Sequence, residues 1–421
     1  MFINQMKIAI TSDLHLDPKY TIKEMITEEE VRSTYPDDFP DTDFEHGEPA
    51  NNLRRWLVLE EILENCKKSR TEHLIIAGDL LDKRSLCIGL DDLFGRYKEI
   101  TVHIIPGNHD DFLSKKYFSS SLSNVIIYEQ PAVTAIAGKL FVFIPYRENA
   151  SAAQELLKIK PQIPVDKEWV LISHSELAAE EYSLSSEERK IYFPLTKRDL
   201  AALNPNLVVL GHIHQPPKQP IYGKVFYPGS PCACNRNETG IRSYITIDLD
   251  VPLGKENIEY NELNRGLVYY TQDIFVFPLQ DEGKFVENQL EIILWGIIYD
   301  LVQSAKGTVF SEQIEALMRR RVYLTLNVKG VSFEGKDCLG KLVNKYIGDK
   351  VLYPVLDTRE VDVSEDAQIP LITQELYNNI METFCSSERF HGYKEKPRYL
   401  LGEKDSDKIL LKLILGSCER F

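Results

Sequence analysis

Seven short apolar runs, built mostly from Val, Ile and Leu, recur in the first 250 residues of the chain. They are KIAI (7–10), HLIIA (73–77), VHII (102–105), NVIIY (124–128), LFVFI (140–144), WVLI (169–172) and LVVL (207–210). Each run is apolar on both faces, which is typical of a strand in a sheet that is covered on both sides. Residues 52–69, between two of the runs, carry apolar side chains at helical spacing. The pattern therefore predicts an α/β fold.

The pattern changes after residue 259. Strand-like runs follow at 266–278 and 321–330, and helix-like stretches at 287–304 and 312–319. In residues 321–330 apolar and polar side chains alternate, as in a strand with one buried face. These changes predict a first domain over 1–250, a smaller α+β domain over 251–355 and a helical tail over 356–421, with helices expected at 372–386 and 406–416.

Composition places the chain among globular proteins of two or three domains, because it has 421 residues, 43% of them hydrophobic and 27% charged. No apolar run approaches the ~18 residues that a membrane span needs. The amino terminus lacks the features of a signal peptide, and seven scattered cysteines do not suggest a disulfide framework. We therefore expect a cytoplasmic protein with free thiols.

The negative charge is concentrated in one segment. Residues 21–50 contain ten acidic and two basic residues, so this segment carries −8 of the net −15. The rest of the chain carries only −7. The net charge of the whole chain is therefore a weak argument against a nucleic-acid partner. Two interpretations of this acidic insert stay open: a solvated loop, or a gate that repels DNA until it is displaced or paired with a basic surface.

Polar residues with metal-binding side chains follow five of the predicted strands. They are Asp13 and His15, Asp79 and Asp82, Asn108 and His109, His174, and finally His212 and His214. Carboxylate and amide oxygens mixed with imidazole suit manganese, iron or zinc. Two such ions would clamp a phosphate and activate water. On strand alternation, Asp13 and His15 should share one side, and Asp79 could bridge the two ions with its two oxygens.

Each of these short segments alone is most simply an ordinary loop at a strand end. Their joint occurrence is not, because five of the nine histidines directly follow strand-like runs. The five blocks, in order, resemble the signature of the calcineurin-like metallophosphoesterases: D-x-H, G-D-x-x-D, G-N-H-D, H and G-H-x-H. The resemblance implies a four-layer α-β-β-α sandwich.

The resemblance also implies a role for each residue. One ion would be held by Asp13, His15, Asp79 and His214, and the other by Asp79, Asn108, His174 and His212. His109 would protonate the leaving oxygen or stabilise its charge, and Asp82 would orient His109.

A narrower resemblance comes from FYPGSPCACNRNETG (226–240) and PYR (145–147), which are similar to segments of the SbcD-type DNA-repair exonucleases. By that resemblance Gly229, Ser230, Arg147 and Arg236 would contact substrate, and residues 251–355 would be a capping domain. It further implies two manganese ions, a homodimer, and an SMC-like ATPase of the SbcC type that docks on the tail helices.

Two other functions stay open. The net acidity favours a phosphodiesterase or phosphatase that acts on a nucleotide or another small phosphoester. A non-catalytic scaffold is disfavoured by the intact ligands and His109. The tail helices could also simply pack on their own domain.

Overall fold

The computed structural model describes residues 6–16, 48–82, 88–178, 192–217, 219–276, 282–304, 311–332 and 335–363. The acidic insert up to residue 47, and both helices expected in the tail, lie outside the described residues. The chain divides into two compact units. Unit 1 comprises Met1–Glu238 and Arg242–Gly266, and unit 2 comprises Thr239–Ile241 and Leu267–Phe421.

Thirteen strands of unit 1 are described. They are β1 (Lys7–Thr11), β2 (His73–Ala77), β3 (Thr101–Ile105), β4 (Val125–Ile127), β5 (Ala132–Ile136), β6 (Lys139–Ile144), β7 (Trp169–His174), β8 (Leu177–Ala178), β9 (Leu195–Thr196), β10 (Leu207–Gly211), β11 (Val225–Phe226), β12 (Ser243–Asp248) and β13 (Ile258–Glu262). One sheet has the order β13-β12-β1-β2-β3-β4, a second the order β11-β10-β7-β6-β5, and β8 pairs with β9. The central strands β1, β2 and β3 are parallel, and so are β6, β7 and β10.

The helices of unit 1 are α1 (Glu48–Ser69), α2 (Ile88–Arg96), α3 (Ala152–Ile159) and α4 (Lys197–Leu203). Short 3₁₀ turns lie at Lys115–Tyr117, Lys160–Gln162 and Lys255–Asn257. Helix α4 begins with a capping box, in which the Thr196 hydroxyl and the Asp199 carboxylate each accept the other residue's backbone N–H. Such a cap satisfies donors that the first helical turn leaves unpaired.

Three apolar layers hold these elements together. The middle layer lies between the two sheets and includes Ile8, Ile75, Phe141 and Ile172. A second layer joins the outer face of the six-stranded sheet to α1 and α2, and a third joins the outer face of the five-stranded sheet to α3 and α4. The strands are apolar on both faces because both faces are covered. The expected four-layer α-β-β-α arrangement is confirmed.

Unit 2 contains a three-stranded parallel sheet with the order β14 (Val268–Val276), β15 (Val322–Ser332) and β16 (Tyr353–Val363). Its helices are α5 (Glu282–Ser304), α6 (Ser311–Arg321) and α7 (Lys336–Ile347). One face of the sheet packs on these helices through an apolar core that includes Leu324, Leu290 and Val343. None of the described helices combines the length and apolarity needed to cross a membrane.

All seven apolar runs form strands, namely β1 to β4, β6, β7 and β10. The pattern missed β5, β12 and β13, whose sequences are interrupted by Thr, Asp or Glu, and the two-residue strands β8, β9 and β11. It also placed the start of the helical tail too early. Strand β16 continues to Val363, eight residues past the expected boundary at 355, because the backbone of YPVLDTREVDV pairs with β15 on both sides of one bulge, despite the charged side chains.

Candidate metal centre

The predicted ligands lie at the carboxyl ends of five parallel strands, three from one sheet (β1, β2, β3) and two from the other (β7, β10). Ligands commonly bind at this edge of α/β sheets, because the turns that follow the strands converge there. The structure brings all seven side chains together in two overlapping clusters. Their assignment to particular ions stays a prediction.

The first cluster is centred on two imidazoles. His15 Nε2 lies 3.1 Å from His214 Nε2. Asp79 Oδ2 lies 3.8 Å from His15 Nε2, and Asp13 Oδ1 lies 3.8 Å from His214 Nε2. Asp13 is also tied to the strand that carries the histidines, since both its oxygens accept the backbone N–H of His212 at 3.1 Å.

The second cluster is centred on the amide oxygen of Asn108. This oxygen lies 3.0 Å from His174 Nε2 and 3.0 Å from His212 Nδ1. Asp79 Oδ2 lies 3.2 Å from His174 Nε2, so the same oxygen faces both clusters. Asp79 Oδ1 instead accepts the backbone N–H of His109 at 2.9 Å. The expected bridge through both carboxylate oxygens of Asp79 stays a prediction.

The far side of three imidazoles is held by an acceptor. His15 Nδ1 lies 2.6 Å from Asp82 Oδ1, His214 Nδ1 lies 2.8 Å from Glu238 Oε1, and His174 Nδ1 lies 2.9 Å from the carbonyl oxygen of Ala77. Because Nδ1 faces these oxygens, Nε2 is the nitrogen that each ring presents to the cluster. Metal-bound histidines commonly have this arrangement. The donor set thus fits two divalent ions.

The backbone is strained at four of the predicted ligands. Asp13, His15, Asp79 and His212 have φ angles of 53°, 47°, 50° and 92°. Such conformations are uncommon outside glycine and cost about 1–3 kcal/mol each. The expected alternation is therefore wrong as an explanation, because β1 ends at Thr11 and left-handed turns, not a pleated strand, aim Asp13 and His15.

Two glycines permit the close packing of these turns. A Cβ atom at Gly107 would overlap the Asp79 carboxylate, and one at Gly211 would overlap the Ala77 carbonyl and the His174 ring. The G-N-H-D and G-H-x-H segments therefore need glycine for reasons of space.

Burial and charge together shift the pKa values of the cluster. Burial opposes the charged forms of Asp79 and His174, but their mutual attraction and hydrogen bond lower the pKa of Asp79 and raise that of His174. Burial, together with the nearby His174, lowers the pKa of His212 to about 4. His214 is also buried, yet hydrogen bonds with Cys234 and Glu238 raise its pKa to about 11.

Four residues support the site in ways that the sequence did not indicate. Buried Asp110 accepts the backbone N–H groups of Leu80, Leu81 and Gly107, and so ties two ligand turns together. Burial and the charge of Asp79 raise the pKa of Asp110 to about 7. The sequence did offer one indication of the role of Asp110, because this residue is the last of the G-N-H-D block. The other three are Arg55, Glu238 and Arg242.

Arg55 and Arg242 carry no local motif, whereas Glu238 belongs to the segment 226–240 and was not singled out within it. Arg55 is buried and donates to the carbonyl oxygen of His15 at 2.6 Å. Arg242 donates to the carbonyl oxygens of Ser230, at 2.9 Å, and of His214. These contacts join segments far apart in the chain, so sequence spacing does not reveal them.

His109 lies at the rim of the first cluster. Its side chain is 48% exposed, and its ring meets the His15 ring edge-on with centroids 4.8 Å apart. Asp82 Oδ1 lies 3.6 Å from His109 Nδ1, against 2.6 Å from His15 Nδ1. Asp82 therefore contacts His15 more closely than the histidine it was expected to orient.

Residues 6–216, half of the chain, match the calcineurin-like phosphoesterase family. The chain belongs to this family. The family uses a dimetal centre, which agrees with the two clusters of donor atoms. The chain is thus a metal-dependent phosphoester hydrolase. No curated protein sequence matches this phosphoesterase.

Three solved structures resemble parts of the phosphoesterase. The protein TT1561 of Thermus thermophilus has 12% identity and a TM-score of 0.36, covering 61% of this chain and 99% of its own. A dimetal phosphatase from Danio rerio has 12% identity and a TM-score of 0.35, with 62% and 96% covered. Phosphopantetheinyl hydrolase from Mycobacterium tuberculosis has 15% identity and a TM-score of 0.28, with 54% and 91% covered.

The four residues expected to contact substrate have different surroundings. Ser230 is buried, and its hydroxyl donates to Glu238 Oε2 at 2.8 Å. Gly229 has a φ of 76°, and a Cβ there would overlap Pro216 and the His214 carbonyl. Arg236 is exposed. Arg147 is partly exposed, with Nε 3.4 Å from Glu155 Oε2 and a hydrogen bond to Gln130. Their role toward substrate stays a prediction.

Proposed function

We propose that this phosphoesterase is a two-metal DNA nuclease that hydrolyses phosphodiester bonds at DNA ends, as an exonuclease and also as an endonuclease. The observation that carries the proposal is the attachment of the loop 226–240 to a predicted metal ligand. This loop is the segment that resembles the SbcD-type exonucleases, and it is built into the centre rather than lying beside it.

The attachment consists of a closed set of hydrogen bonds. The Ser230 backbone N–H donates to the carbonyl oxygen of His214 at 3.0 Å, and the Ser230 hydroxyl donates to Glu238. Glu238 in turn holds His214 Nδ1. A change in the loop would therefore reach the metal ligand directly. This supports a role for the loop in setting the geometry that the substrate meets.

The roles of the chain's own residues follow from their positions. Bound metal ions would activate water and neutralise charge on the phosphate. Asp79 faces both clusters and would fix the position of one bound ion relative to the other. His109, exposed at the rim beside His15, is placed to give a proton to the leaving oxygen. Asp82 and Glu238 would keep His15 and His214 in the tautomer that presents Nε2.

The proposal includes two manganese ions, a homodimer, cytoplasmic location and an SMC-like ATPase as partner. The support for the ions, the homodimer and the ATPase is the resemblance of the loop 226–240 and of residues 145–147 to the SbcD-type exonucleases. The cytoplasmic location rests on the scattered cysteines, which do not suggest a disulfide framework. The tail helices expected to receive the ATPase lie outside the described residues.

The test compares substrates on the purified full-length protein. Linear DNA, circular DNA and bis-p-nitrophenyl phosphate are each incubated with Mn²⁺, with and without an SbcC-type ATPase. A DNA nuclease should shorten linear DNA, and His109→Ala should remove that activity. Hydrolysis of the small ester with no action on either DNA, even with the ATPase present, would refute the nuclease.

A second candidate is a phosphodiesterase or phosphatase for a nucleotide or another small phosphoester. The observation that favours it is a cavity of about 460 Å³ beside the G-N-H-D turn. Its lining includes Phe112, Tyr146, Lys116 and Arg147, and it has the size of a pocket for a small ligand. The two aromatic side chains suit a nucleobase, and the lining also contains three carboxylates beside the two cations, those of Asp111, Glu129 and Glu148. Saturable hydrolysis of a nucleotide without DNA cleavage would support this candidate.

A further inference from the structure

Cys234 lies in the loop 226–240, next to the first cluster. Its sulfur and one ring nitrogen each of His15 and His214 all lie within 4.8 Å of one another. The sequence motifs assign no role to this residue. The family signature in this chain is complete without a thiol.

One carboxylate positions both Cys234 and His214. Glu238 Oε2 accepts the backbone N–H of Cys234 at 2.8 Å, while Glu238 Oε1 lies 2.8 Å from His214 Nδ1. Asn235 donates to the same carboxylate at 2.6 Å. The backbone of Cys234 is therefore held beside the cluster by the residue that also fixes the imidazole, and the thiol lies 3.8 Å from the carbonyl oxygen of Cys232.

The other cysteines described in unit 1 have different surroundings. Cys66 and Cys232 are both 1% exposed and belong to the apolar layer under α1 and α2. Burial raises the pKa of the Cys66 thiol to about 12, so Cys66 stays a neutral core side chain. Cys234 is partly exposed and lies against imidazole nitrogens. Only Cys234 of these three is placed to meet a metal ion.

We propose that Cys234 is a sulfur ligand of the ion that His15 and His214 hold. Zinc binds nitrogen at about 2.0–2.1 Å and sulfur at about 2.3 Å in tetrahedral geometry, so a nitrogen and a sulfur that bind one ion lie about 3.6 Å apart. The three donor atoms here lie within 4.8 Å of one another, so binding an ion would draw them together by about 1 Å. The proposal concerns this chain's own ligands and does not depend on whether the substrate is DNA.

The consequence of a sulfur ligand is a change in metal preference. Thiolate favours zinc and other thiophilic ions, whereas carboxylate, carbonyl and water ligands suit manganese. The position that contains Cys234 should therefore select zinc over manganese. The position formed by Asn108, His174 and His212, whose ligands are nitrogen and oxygen, should lack this added preference. The two positions of one centre would then differ in their ions, and zinc would take the place of one of the two manganese ions named under the proposed function.

The first experiment uses Co²⁺ as a spectroscopic probe of the metal-free full-length protein. A cobalt–thiolate bond produces a charge-transfer band in the near ultraviolet, which nitrogen and oxygen ligands do not. The wild type should show this band. Cys234→Ser should lose it, and Cys338→Ser, at an exposed cysteine of α7, should keep it. Absence of the band in the wild type, or its persistence in Cys234→Ser, overturns the proposal.

The second experiment measures selectivity directly. Protein is dialysed to equilibrium against Zn²⁺ and Mn²⁺ together, and bound metal is counted by elemental analysis. Cys234→Ser should lower the ratio of bound zinc to manganese by about tenfold or more, the scale on which changes around a metal site alter affinity. An unchanged ratio in a variant with wild-type circular dichroism overturns the proposal.

A third measurement needs no variant, and so covers a failure of Cys234→Ser to fold. The wild type is treated with iodoacetamide with and without Zn²⁺, and the labelled peptides are identified by mass spectrometry. Zinc should protect Cys234 and leave the labelling of Cys338 unchanged. Equal labelling of Cys234 in both samples overturns the proposal. DNA is absent from all three experiments, so a failed nuclease assay leaves their outcome unaffected.

Discussion

Units 1 and 2 are both built on parallel strands covered by helices, but the predicted metal ligands all lie in unit 1. Unit 1 places buried Asp13, Asp79, Asp110 and His174 at or just beyond its strand ends. Among the described residues, all three groups of side chains close enough to hold an ion lie in unit 1. A parallel sheet thus supplies an edge where turns converge, but the residues that follow each strand decide whether that edge carries chemistry.

The backbone shows the same difference. All ten of the described non-glycine residues with positive φ lie in unit 1, and four of them are predicted metal ligands. Strain of this kind persists only where the surroundings hold it in place. The three apolar layers of unit 1 do so, and the hydrogen bonds of Asp110 tie the turns to one another. Unit 2 has a regular core, and its described part needs no such support.

The largest expected effect is in the chemistry of unit 1. His109→Ala should lower hydrolysis of bis-p-nitrophenyl phosphate by about 10²–10⁴-fold, the usual contribution of a general acid. Metal content, counted by elemental analysis, should stay at the wild-type value because His109 is not a predicted ligand. His73→Gln, a change in a strand away from the centre, is the control. Activity surviving in His109→Ala would remove His109 from the mechanism.

The next effect belongs to unit 2 and concerns stability alone. Leu324 is fully buried in β15, and Leu324→Ala should lower the free energy of unfolding by about 2–5 kcal/mol. Activity per folded chain should not change, because every predicted ligand lies in unit 1. Urea unfolding measures the loss, and Val363→Ala, at an exposed site on β16, is the control. Metal loss from folded Leu324→Ala would contradict the contrast between the units.

A smaller effect is expected when the pH is lowered. The free energy of unfolding should then fall because of a histidine of unit 1 that is not part of the metal centre. His103 is 2% exposed in β3, with its ring nitrogens 3.1 Å from His73 Nδ1 and 2.9 Å from the Tyr128 hydroxyl. Burial, with the nearby His73, lowers the pKa of His103 from 6.5 to about 4. The unfolded chain therefore takes up a proton between these pH values, and the folded chain does not.

This difference makes His103 destabilising as the pH falls. The contribution of neutral His103 to the free energy of unfolding is fully present above pH 6.5. It is lost as the pH drops toward 4, a change of about 3 kcal/mol. Urea unfolding at several pH values should show this loss in the wild type. The dependence of the free energy of unfolding on pH, between pH 6.5 and 4, should be weaker in His103→Gln. Equal slopes in the two proteins would mean that His103 does not titrate in this way.

The smallest expected effect separates two roles of Asp82. Because Asp82 lies nearer to His15 than to His109, Asp82→Asn should weaken Mn²⁺ binding by about tenfold, at the lower end of effects from residues behind metal ligands. Calorimetric titration measures the affinity, and Asp91→Asn, at an aspartate that binds the Ser119 backbone, is the control. Unchanged affinity with a reduced kcat would instead place Asp82 behind His109.

Much of unit 1 could be predicted from the sequence, because its signals are local. Runs such as LVVL and HLIIA contain only a few residues and identify covered strands without knowledge of their neighbours. The blocks D-x-H and G-N-H-D follow those strands directly. In unit 2 the alternation of residues 321–330 likewise predicted β15. Strand β16 was missed because its charged residues hide its pairing with β15.

The sequence by itself determined which residues of unit 1 are available to bind metal and that parallel strands would bring them to one edge. Only the tertiary structure decided their partners. Glu238 behind His214, Arg55 behind His15 and Asp110 between two turns are contacts across 24, 40 and 30 residues of chain. Such contacts leave no periodicity in a sequence, because folding alone sets the separation of their members. Tertiary packing also holds the left-handed backbone that aims Asp13 and His15.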